Sequence, residues 1–125
     1  MSLRLPAKPQ YAAEGRRQAV AFARSVRDCD DDVVADVESA VGEGLANAIE
    51  HGSKGDGLIE LRFKYEPEAL IVEIEDHGLG FEGLPRNPPH PYTDRGRGIG
   101  LISSLTDEMT YERGGRLLRF RKVLR

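Results

Sequence analysis

The sequence predicts an α+β two-layer sandwich, in which helices cover one face of a mixed, mostly antiparallel sheet. Two stretches near the N-terminus carry apolar residues at helical spacing, and two stretches in the middle alternate apolar and polar residues. A Gly-Gly pair near the C-terminus separates two further runs that are typical of a hairpin. With 125 residues, the chain is expected to form one domain, residues 1–125, around a single core.

The N-terminal half is predicted to be mainly helical. A short strand at residues 3–5 comes first, and a helix follows over residues 12–27. Acidic residues 28–32 supply an N-cap and first-turn negative charge for a second helix over residues 31–51. The apolar stripe of this second helix consists of Val34, Val37, Val41, Leu45 and Ala48.

The C-terminal half is predicted to supply most of the sheet. Residues 59–65 alternate apolar and charged side chains, as a half-buried strand does. The next strand buries Leu70, Val72 and Ile74 on one face. The remaining predicted elements are a Gly- and Pro-rich loop over residues 78–98, a helix over residues 99–105, and a hairpin of strands 109–111 and 117–123.

Composition excludes several classes of function. The net charge of −3 does not indicate direct nucleic-acid binding, and we interpret the basic C-terminal strand as a solvated face. The single cysteine, Cys29, excludes a disulfide framework and a Cys-rich metal site. The single cysteine fits a reducing cytoplasm best. No apolar run reaches membrane-spanning length and no signal-peptide pattern is present, so we expect no membrane partner.

The first group of candidate functional residues lies on the second helix. Glu43, Asn47 and His51 are spaced four residues apart and therefore share one helical face. The amide oxygen of Asn47 suits magnesium, a hard cation that takes few protein ligands. Glu43, one turn away, could orient or deprotonate an attacking hydroxyl. The alternative is a solvated polar face whose glycines, Gly42 and Gly44, ease close packing.

The second group follows the second central strand. Asp76 falls on the buried face of that strand, where a carboxylate without a partner would suffer desolvation. An adenine amino group would be a suitable hydrogen-bond donor to it. Gly78 and Gly80 would let the backbone turn sharply and approach a nucleotide closely. The alternative is that Asp76 caps a strand that ends in a glycine-rich turn.

The third group is the run Arg95-Gly96-Arg97-Gly98-Ile99-Gly100, which opens the predicted third helix. Glycines before a helix expose backbone N–H groups toward an anion, and the helix dipole adds about 0.3–1 kcal/mol. Arg95 or Arg97 could add a charge-assisted contact to a γ-phosphate. Neither a dinucleotide-binding βαβ unit nor a Walker-type Gly-Lys-Ser/Thr sequence surrounds these glycines.

Together the three groups resemble the motifs of the ATPase superfamily that includes DNA gyrase, histidine kinases and the mismatch-repair protein MutL. Residues 43–52 resemble its N box, residues 76–81 its first glycine box and residues 96–101 its second, in the same order and rough spacing. More narrowly, residues 98–108 and the single-domain length resemble the anti-sigma factor serine/threonine kinases. The resemblance covers nearly the whole chain and implies the histidine-kinase-like ATPase fold.

The resemblance also implies a role for each motif. Asn47 would be a ligand of Mg²⁺, Glu43 the catalytic base, and Asp76 the residue that reads the adenine of ATP. Residues 81–95 would form a lid over the nucleotide. Gly114-Gly115-Arg116 departs from the family, whose members commonly have a Gly-Thr pair with a hydroxyl in the adenine hydrogen-bond network. The other residues implied to border the nucleotide are Gly78, Gly80, Arg95, Gly96, Arg97, Gly98, Ile99 and Gly100.

The function that the resemblance implies is an ATP- and Mg²⁺-dependent protein serine/threonine kinase that also acts as an anti-sigma factor. Its partners would be a STAS-type antagonist, which it phosphorylates, and a sigma factor, and a homodimer is a further expectation. The alternative is a non-catalytic, nucleotide-gated binding module that sequesters a regulator. Glu43 favours the kinase. A histidine kinase is disfavoured because no dimerising hairpin with a phosphoacceptor histidine precedes the motifs.

Overall fold

The computed structural model describes residues 1–27, 29–50, 57–77 and 94–124, and it describes only the backbone of residues 94–99. Short 3-10 turns at Pro9–Tyr11 and Arg113–Gly115 accompany the main elements. These elements are, in chain order, β1 (Ser2–Pro6), α1 (Ala12–Ser25), α2 (Asp31–Ala48), β2 (Leu58–Glu66), β3 (Ala69–Asp76), α3 (Asp94–Leu105), β4 (Glu108–Glu112) and β5 (Leu117–Val123).

The five strands form one sheet with the order β1-β2-β3-β5-β4. Its four strand pairs are antiparallel, whereas the sequence predicted a mixed, mostly antiparallel sheet. The predicted α+β two-layer class is confirmed. Short turns join β2 to β3 and β4 to β5, and a short turn can join only antiparallel neighbours. In this register Ile59 lies opposite Asp76, and Ile74 lies opposite Leu118.

The core lies between one face of the sheet and the helices. Phe63 of β2 and Phe120 of β5 are fully buried there, and Phe22 of α1 stacks on Phe63 with ring centroids 5.1 Å apart. The predicted stripe of α2 is buried from Val34 to Leu45, and Ala48 is half-buried. The alternation read from the sequence therefore assigned the buried faces of both layers correctly.

The predicted cap of α2 is confirmed, because the side chain of Asp30 accepts a 2.9 Å hydrogen bond from the backbone N–H of Val33. The helix ends at Ala48, three residues before the predicted end at His51, which lies outside the described residues. Among the described residues, no helix is long and apolar enough to cross a membrane.

The third helix begins earlier than predicted. It starts at Asp94, not at Ile99, so the glycine run lies inside its first turns and does not precede them. Glycine is a poor helix former, but α3 packs against α2 and buries Ile102 completely. Tertiary packing of this kind supplies most of the stability of a protein helix and overrides local propensity.

Candidate functional site

Helix α2 lies unusually close to the sheet at Gly44. A Cβ atom at this position would lie 2.6 Å from Cδ1 of Ile74 and 2.8 Å from Cδ2 of Leu118. These two residues face each other on β3 and β5. A side chain at position 44 would therefore require Ile74, Leu118 or the helix itself to shift. The packing role that the sequence allowed for this glycine is borne out.

The path of α2 over the sheet determines where Asn47 lies. Near the start of the helix, the carboxylate of Asp36 forms a 2.8 Å ion pair with Nζ of Lys122. Lys122 lies near the end of β5. Gly44 then lies over Leu118 and Ile74. The helix thus runs against the direction of β5 and along the direction of β3. The next turn carries Asn47 toward the end of β3, where Asp76 lies.

Asn47 is buried, with 7% of its surface exposed, although it is a polar residue in a helix. Its side-chain nitrogen Nδ2 makes no hydrogen bond within the described part of the chain. A buried amide without a partner costs free energy and calls for an explanation, such as a ligand or a bound water. This burial argues against the solvated polar face that was the alternative for Asn47, and the amide fits a site that receives a ligand.

Asp76 is 4% exposed at the end of β3. Its backbone N–H donates a 2.8 Å hydrogen bond to the carbonyl of Arg116, just before β5. The next residue, His77, donates a 2.8 Å backbone bond to the carbonyl of Leu58 in β2. The end of β3 is therefore held from both neighbouring strands, and the expected burial of this carboxylate is confirmed.

Glu43 lies on α2 one turn before Asn47 and is half-buried. The adjacent Gly42 faces α1, because a Cβ atom there would lie 3.0 Å from Cδ of Arg16. Gly42 and Gly44 thus serve two different contacts, one with the other helix and one with the sheet. Glu43 stands between them, which fixes the position of its backbone on both sides.

The structure locates the other predicted site residues only in part. Gly78 and Gly80 lie outside the described residues, as does the segment expected to form most of the lid. Gly100 lies in α3, and no atom of the described residues lies within 4 Å of the place where its Cβ atom would be. The remaining members of the run have their backbone in the first turns of α3, and these are Arg95, Gly96, Arg97, Gly98 and Ile99.

The sheet face opposite the helices carries a group of ion pairs that the sequence analysis did not identify. Arg62 of β2 donates 2.8 Å and 2.9 Å hydrogen bonds to Glu73 and Glu75 of β3. Arg119 of β5 contacts Glu73 at 2.6 Å, and Arg113 contacts Glu75. The basic residues of β5 are thus neutralised in part by acids, in agreement with their interpretation as a strand face. The sequence signal that could have revealed these ion pairs was the presence of opposite charges at facing positions of three neighbouring strands.

Opposing effects set the charge of the two buried glutamates. Burial raises the pKa of Glu73, but hydrogen bonds from Arg62 and Arg119 outweigh burial and lower this pKa from 4.5 to about 2. Burial also opposes ionisation of Glu75, whose pKa is lowered by hydrogen bonds from Arg62 and Arg113. Both carboxylates are therefore ionised at neutral pH, and each depends on its arginines.

Glu60, Glu75 and His77 form a cluster on the same face, with potential ligand atoms within 4.8 Å of one another. Nε2 of His77 lies 2.8 Å from Oε1 of Glu60. However, the guanidinium of Arg62 lies 3.0 Å from Glu60 and 2.9 Å from Glu75, so a cation already faces both carboxylates. We therefore interpret this cluster as part of the ion-pair group and not as a metal centre.

Comparison with known proteins agrees with this geometry. Residues 5–122 match the protein family described as histidine kinase-like ATPase domain. An anti-sigma F factor of Clostridium botulinum is 31% identical over 120 aligned residues, which cover 90% of this chain and 83% of that protein. A serine-protein kinase RsbW of Listeria innocua is 32% identical over 121 residues, which cover 87% of this chain and 76% of that protein.

A solved structure shares the fold. It is the histidine kinase domain of a blue-light activated histidine kinase of Erythrobacter litoralis, with a TM-score of 0.60 and 22% identity. The match covers 96% of this chain and 62% of that structure, so this chain spans less than two thirds of it. At this identity the likeness supports the fold alone.

Proposed function

Because the chain belongs to the histidine kinase-like ATPase family, among the anti-sigma F factors and RsbW serine-protein kinases, we propose that it is an ATP- and Mg²⁺-dependent protein serine/threonine kinase. The observation that carries the proposal is the burial of two polar residues, Asn47 of α2 and Asp76 of β3, with α2 running along β3 toward the end that carries Asp76. The path of α2 over β3 and β5 leads Asn47 toward Asp76, although 29 positions separate the two residues in the sequence.

Asp76 would recognise the nucleobase. Its carboxylate is buried on the helix-facing side of the sheet, where an adenine amino group could donate a hydrogen bond to it. Gly78 and Gly80 follow directly in the sequence and carry no side chain that could block the base. The backbone bonds that hold Asp76 and His77 would keep the carboxylate in place before the nucleotide arrives.

Asn47 would bind Mg²⁺ through its amide oxygen, and the residue fits this role in type, burial and position. Its Nδ2 has no partner in the described residues, so it remains available to donate to a phosphate oxygen or a bound water. A bound Mg²⁺ would supply positive charge against the phosphates. Arg95 or Arg97, at the start of α3, would supply further positive charge.

Glu43 would act as the general base. In the proposed step, the hydroxyl of a serine or threonine gives its proton to the carboxylate of Glu43. The hydroxyl oxygen bonds to the γ-phosphorus while the bond from this phosphorus to the β–γ bridging oxygen breaks. The products are a phosphorylated partner and ADP. Glu43 lies one helical turn from Asn47, so the base and the metal ligand would act on the same phosphate.

The proposed protein substrate is a STAS-type antagonist, and the second proposed partner is a sigma factor. The similarity to proteins named anti-sigma F factor and serine-protein kinase RsbW supports both. Competition between the two partners for the kinase would make a regulatory switch. Phosphorylation would lower the affinity of the antagonist and so release the kinase to bind the sigma factor.

Phosphate transfer from radiolabelled ATP to a purified STAS-type antagonist tests the proposal. We expect Mg²⁺-dependent labelling by the wild type and none by Glu43→Gln, which keeps the shape of the side chain and removes the base. The matched control is Glu38→Gln, on the same helix but outside the site, and it should label normally. Equal labelling by wild type and Glu43→Gln would remove Glu43 from catalysis.

A non-catalytic, nucleotide-gated binding module is the second candidate. The Gly114-Gly115-Arg116 sequence favours it, because the hydroxyl that family members commonly have there is missing. ATP would then order the binding surface without donating phosphate. A wild type that binds Mg²⁺-ATP and a STAS-type antagonist but transfers no phosphate would establish this second function and overturn the kinase.

A further inference from the structure

Arg113 has an unusual backbone conformation for its residue type. Its φ angle is 56°, in the left-handed region, and it is the one non-glycine residue with a positive φ among those described. The two residues after it, Gly114 and Gly115, have φ angles of 67° and 92° and suit this turn as glycines do. Strained backbone of this kind tends to persist where surrounding contacts hold it, and often where function needs it.

Two sets of contacts hold Arg113 at the end of β3. Its guanidinium pairs with the carboxylate of Glu75, the residue before Asp76. Its carbonyl accepts a 3.3 Å hydrogen bond from the N–H of Arg116, whose own carbonyl accepts the 2.8 Å bond from the N–H of Asp76. The side chain of Arg113 thus pairs with Glu75 of β3, and its backbone is linked to the next residue, Asp76, through Arg116.

Stability of the fold accounts for only part of this arrangement. Glu75 already has an arginine partner, because Arg62 bonds to it at 2.9 Å from the neighbouring strand. The Arg113 side chain is 63% exposed, so solvent screens its pairing with the buried Glu75, although its hydrogen bond helps to lower the pKa of that carboxyl. A glycine at position 113 would adopt the same φ without strain. Glu75 therefore shares two arginine partners, and the positive φ of Arg113 carries a backbone cost that glycine would not have.

We propose that Arg113 is a positioning residue that fixes the carboxylate of Asp76 for recognition of adenine. The inference rests on the proposed adenine-reading role of Asp76. Arg113 holds the side chain of Glu75 on one face of the sheet, and through Arg116 it holds the turn that precedes β5. These two contacts restrict rotation of the backbone at Asp76. A carboxylate held in this way loses less freedom when the base binds, which favours affinity.

The experiment compares the binding of two nucleotides by calorimetry. One is ATP, and the other is purine riboside triphosphate, which lacks the 6-amino group that Asp76 would read. Arg113→Gly removes the backbone strain together with one of the two arginine partners of Glu75, so thermal unfolding first establishes that the variant is folded. We expect it to bind ATP roughly fivefold more weakly, as one misaligned hydrogen bond to a charged group would cause. Its affinity for the analogue should equal that of the wild type.

A second variant separates charge from backbone effects. Arg113→Lys keeps a cation beside Glu75, and it should recover part of the ATP affinity that Arg113→Gly loses. Equal ATP affinity in the wild type and Arg113→Gly would overturn the inference, as would an equal loss of ATP and analogue in that variant.

The wild type alone tests the premise. If it binds ATP no more tightly than the analogue, the proposed role of Asp76 fails, and the role of Arg113 fails with it. If the wild type prefers ATP and Arg113→Gly keeps the full preference, only the inference about Arg113 fails.

Discussion

Gly44 of α2 lies so close to Ile74 of β3 that a Cβ atom on the glycine would be 2.6 Å from Cδ1 of the isoleucine. This contact determines how near the helix comes to the sheet. It also determines where Asn47, one turn further along α2, lies relative to Asp76 at the end of β3. The separation of the two layers is thus part of the geometry of the candidate site.

Gly44→Ala should therefore lower both stability and nucleotide affinity. Overpacking a buried contact costs about 1–3 kcal/mol, and alanine recovers about 1 kcal/mol in helix propensity. We expect a net loss of about 1 kcal/mol in the free energy of unfolding, measured in urea, and weaker ATP binding because Asn47 moves with the helix.

Gly42→Ala is the matched control for this substitution. The added Cβ atom would lie 3.0 Å from Cδ of Arg16, a flexible side chain that can shift. The free energy of unfolding should stay equal or rise by up to about 1 kcal/mol, since alanine is the better helix former. Identical effects of the two alanines on stability and ATP affinity would contradict the role that we give to Gly44.

The ion pairs of Glu73 predict how stability depends on pH. The pKa of this carboxyl falls from 4.5 to about 2 on folding, so its contribution is complete above pH 4.5 and is lost as the pH falls toward 2. The size of the shift sets an upper limit of about 3 kcal/mol on this contribution. Urea unfolding of the wild type at several pH values should show the decline.

Glu73→Gln should unfold more easily than the wild type at pH 7, and the difference should shrink as the pH approaches 2. Glu66→Gln provides the control, because Glu66 is 53% exposed and its contact with Arg121 is 3.5 Å long. Such a surface pair contributes about 0–1 kcal/mol. A constant difference between wild type and Glu73→Gln across this pH range would show that the carboxylate charge is not responsible.

Asp76→Asn tests adenine recognition directly. The substitution keeps the shape of the side chain and removes the charged acceptor, so ATP affinity should fall roughly tenfold or more, the value of a hydrogen bond to a charged group. Asp36→Asn is a suitable control, because Asp36 pairs with Lys122 near the start of α2, away from Asn47 near the end of that helix. Unchanged ATP affinity in Asp76→Asn would remove this residue from the pocket.

The sequence predicted the layers of the fold better than the details of their contact. Alternation of apolar residues in β2 and β3 and the stripe of α2 determined the buried faces, because periodicity follows directly from backbone geometry. The start of α3 was placed five residues too late. Three glycines lower local helix propensity, and packing of α3 against α2, which the burial of Ile102 reflects, favours the helix there.

The candidate site was predictable in part for the same reason. The motif residues Asn47 and Asp76 were identified from spacing, but the burial of Asn47 depends on how closely α2 approaches the sheet. The alternating pattern of β3 placed Glu73 on the face of the sheet that was expected to be solvated. Its burial results from long arginine side chains of two other strands that lie across it. The positive φ of Arg113 accompanies a different tertiary contact, with Glu75 of β3, which the local sequence does not reveal.

Calorimetric titration with ATP, with and without Mg²⁺, of the wild type and of Asn47→Ala tests the central claim most directly. Thermal unfolding of both proteins first establishes that each is folded. We predict that Mg²⁺ strengthens ATP binding by the wild type and that Asn47→Ala loses this strengthening. A wild type that binds no ATP, or an Asn47→Ala variant with the same affinity and the same Mg²⁺ dependence as the wild type, would contradict the account.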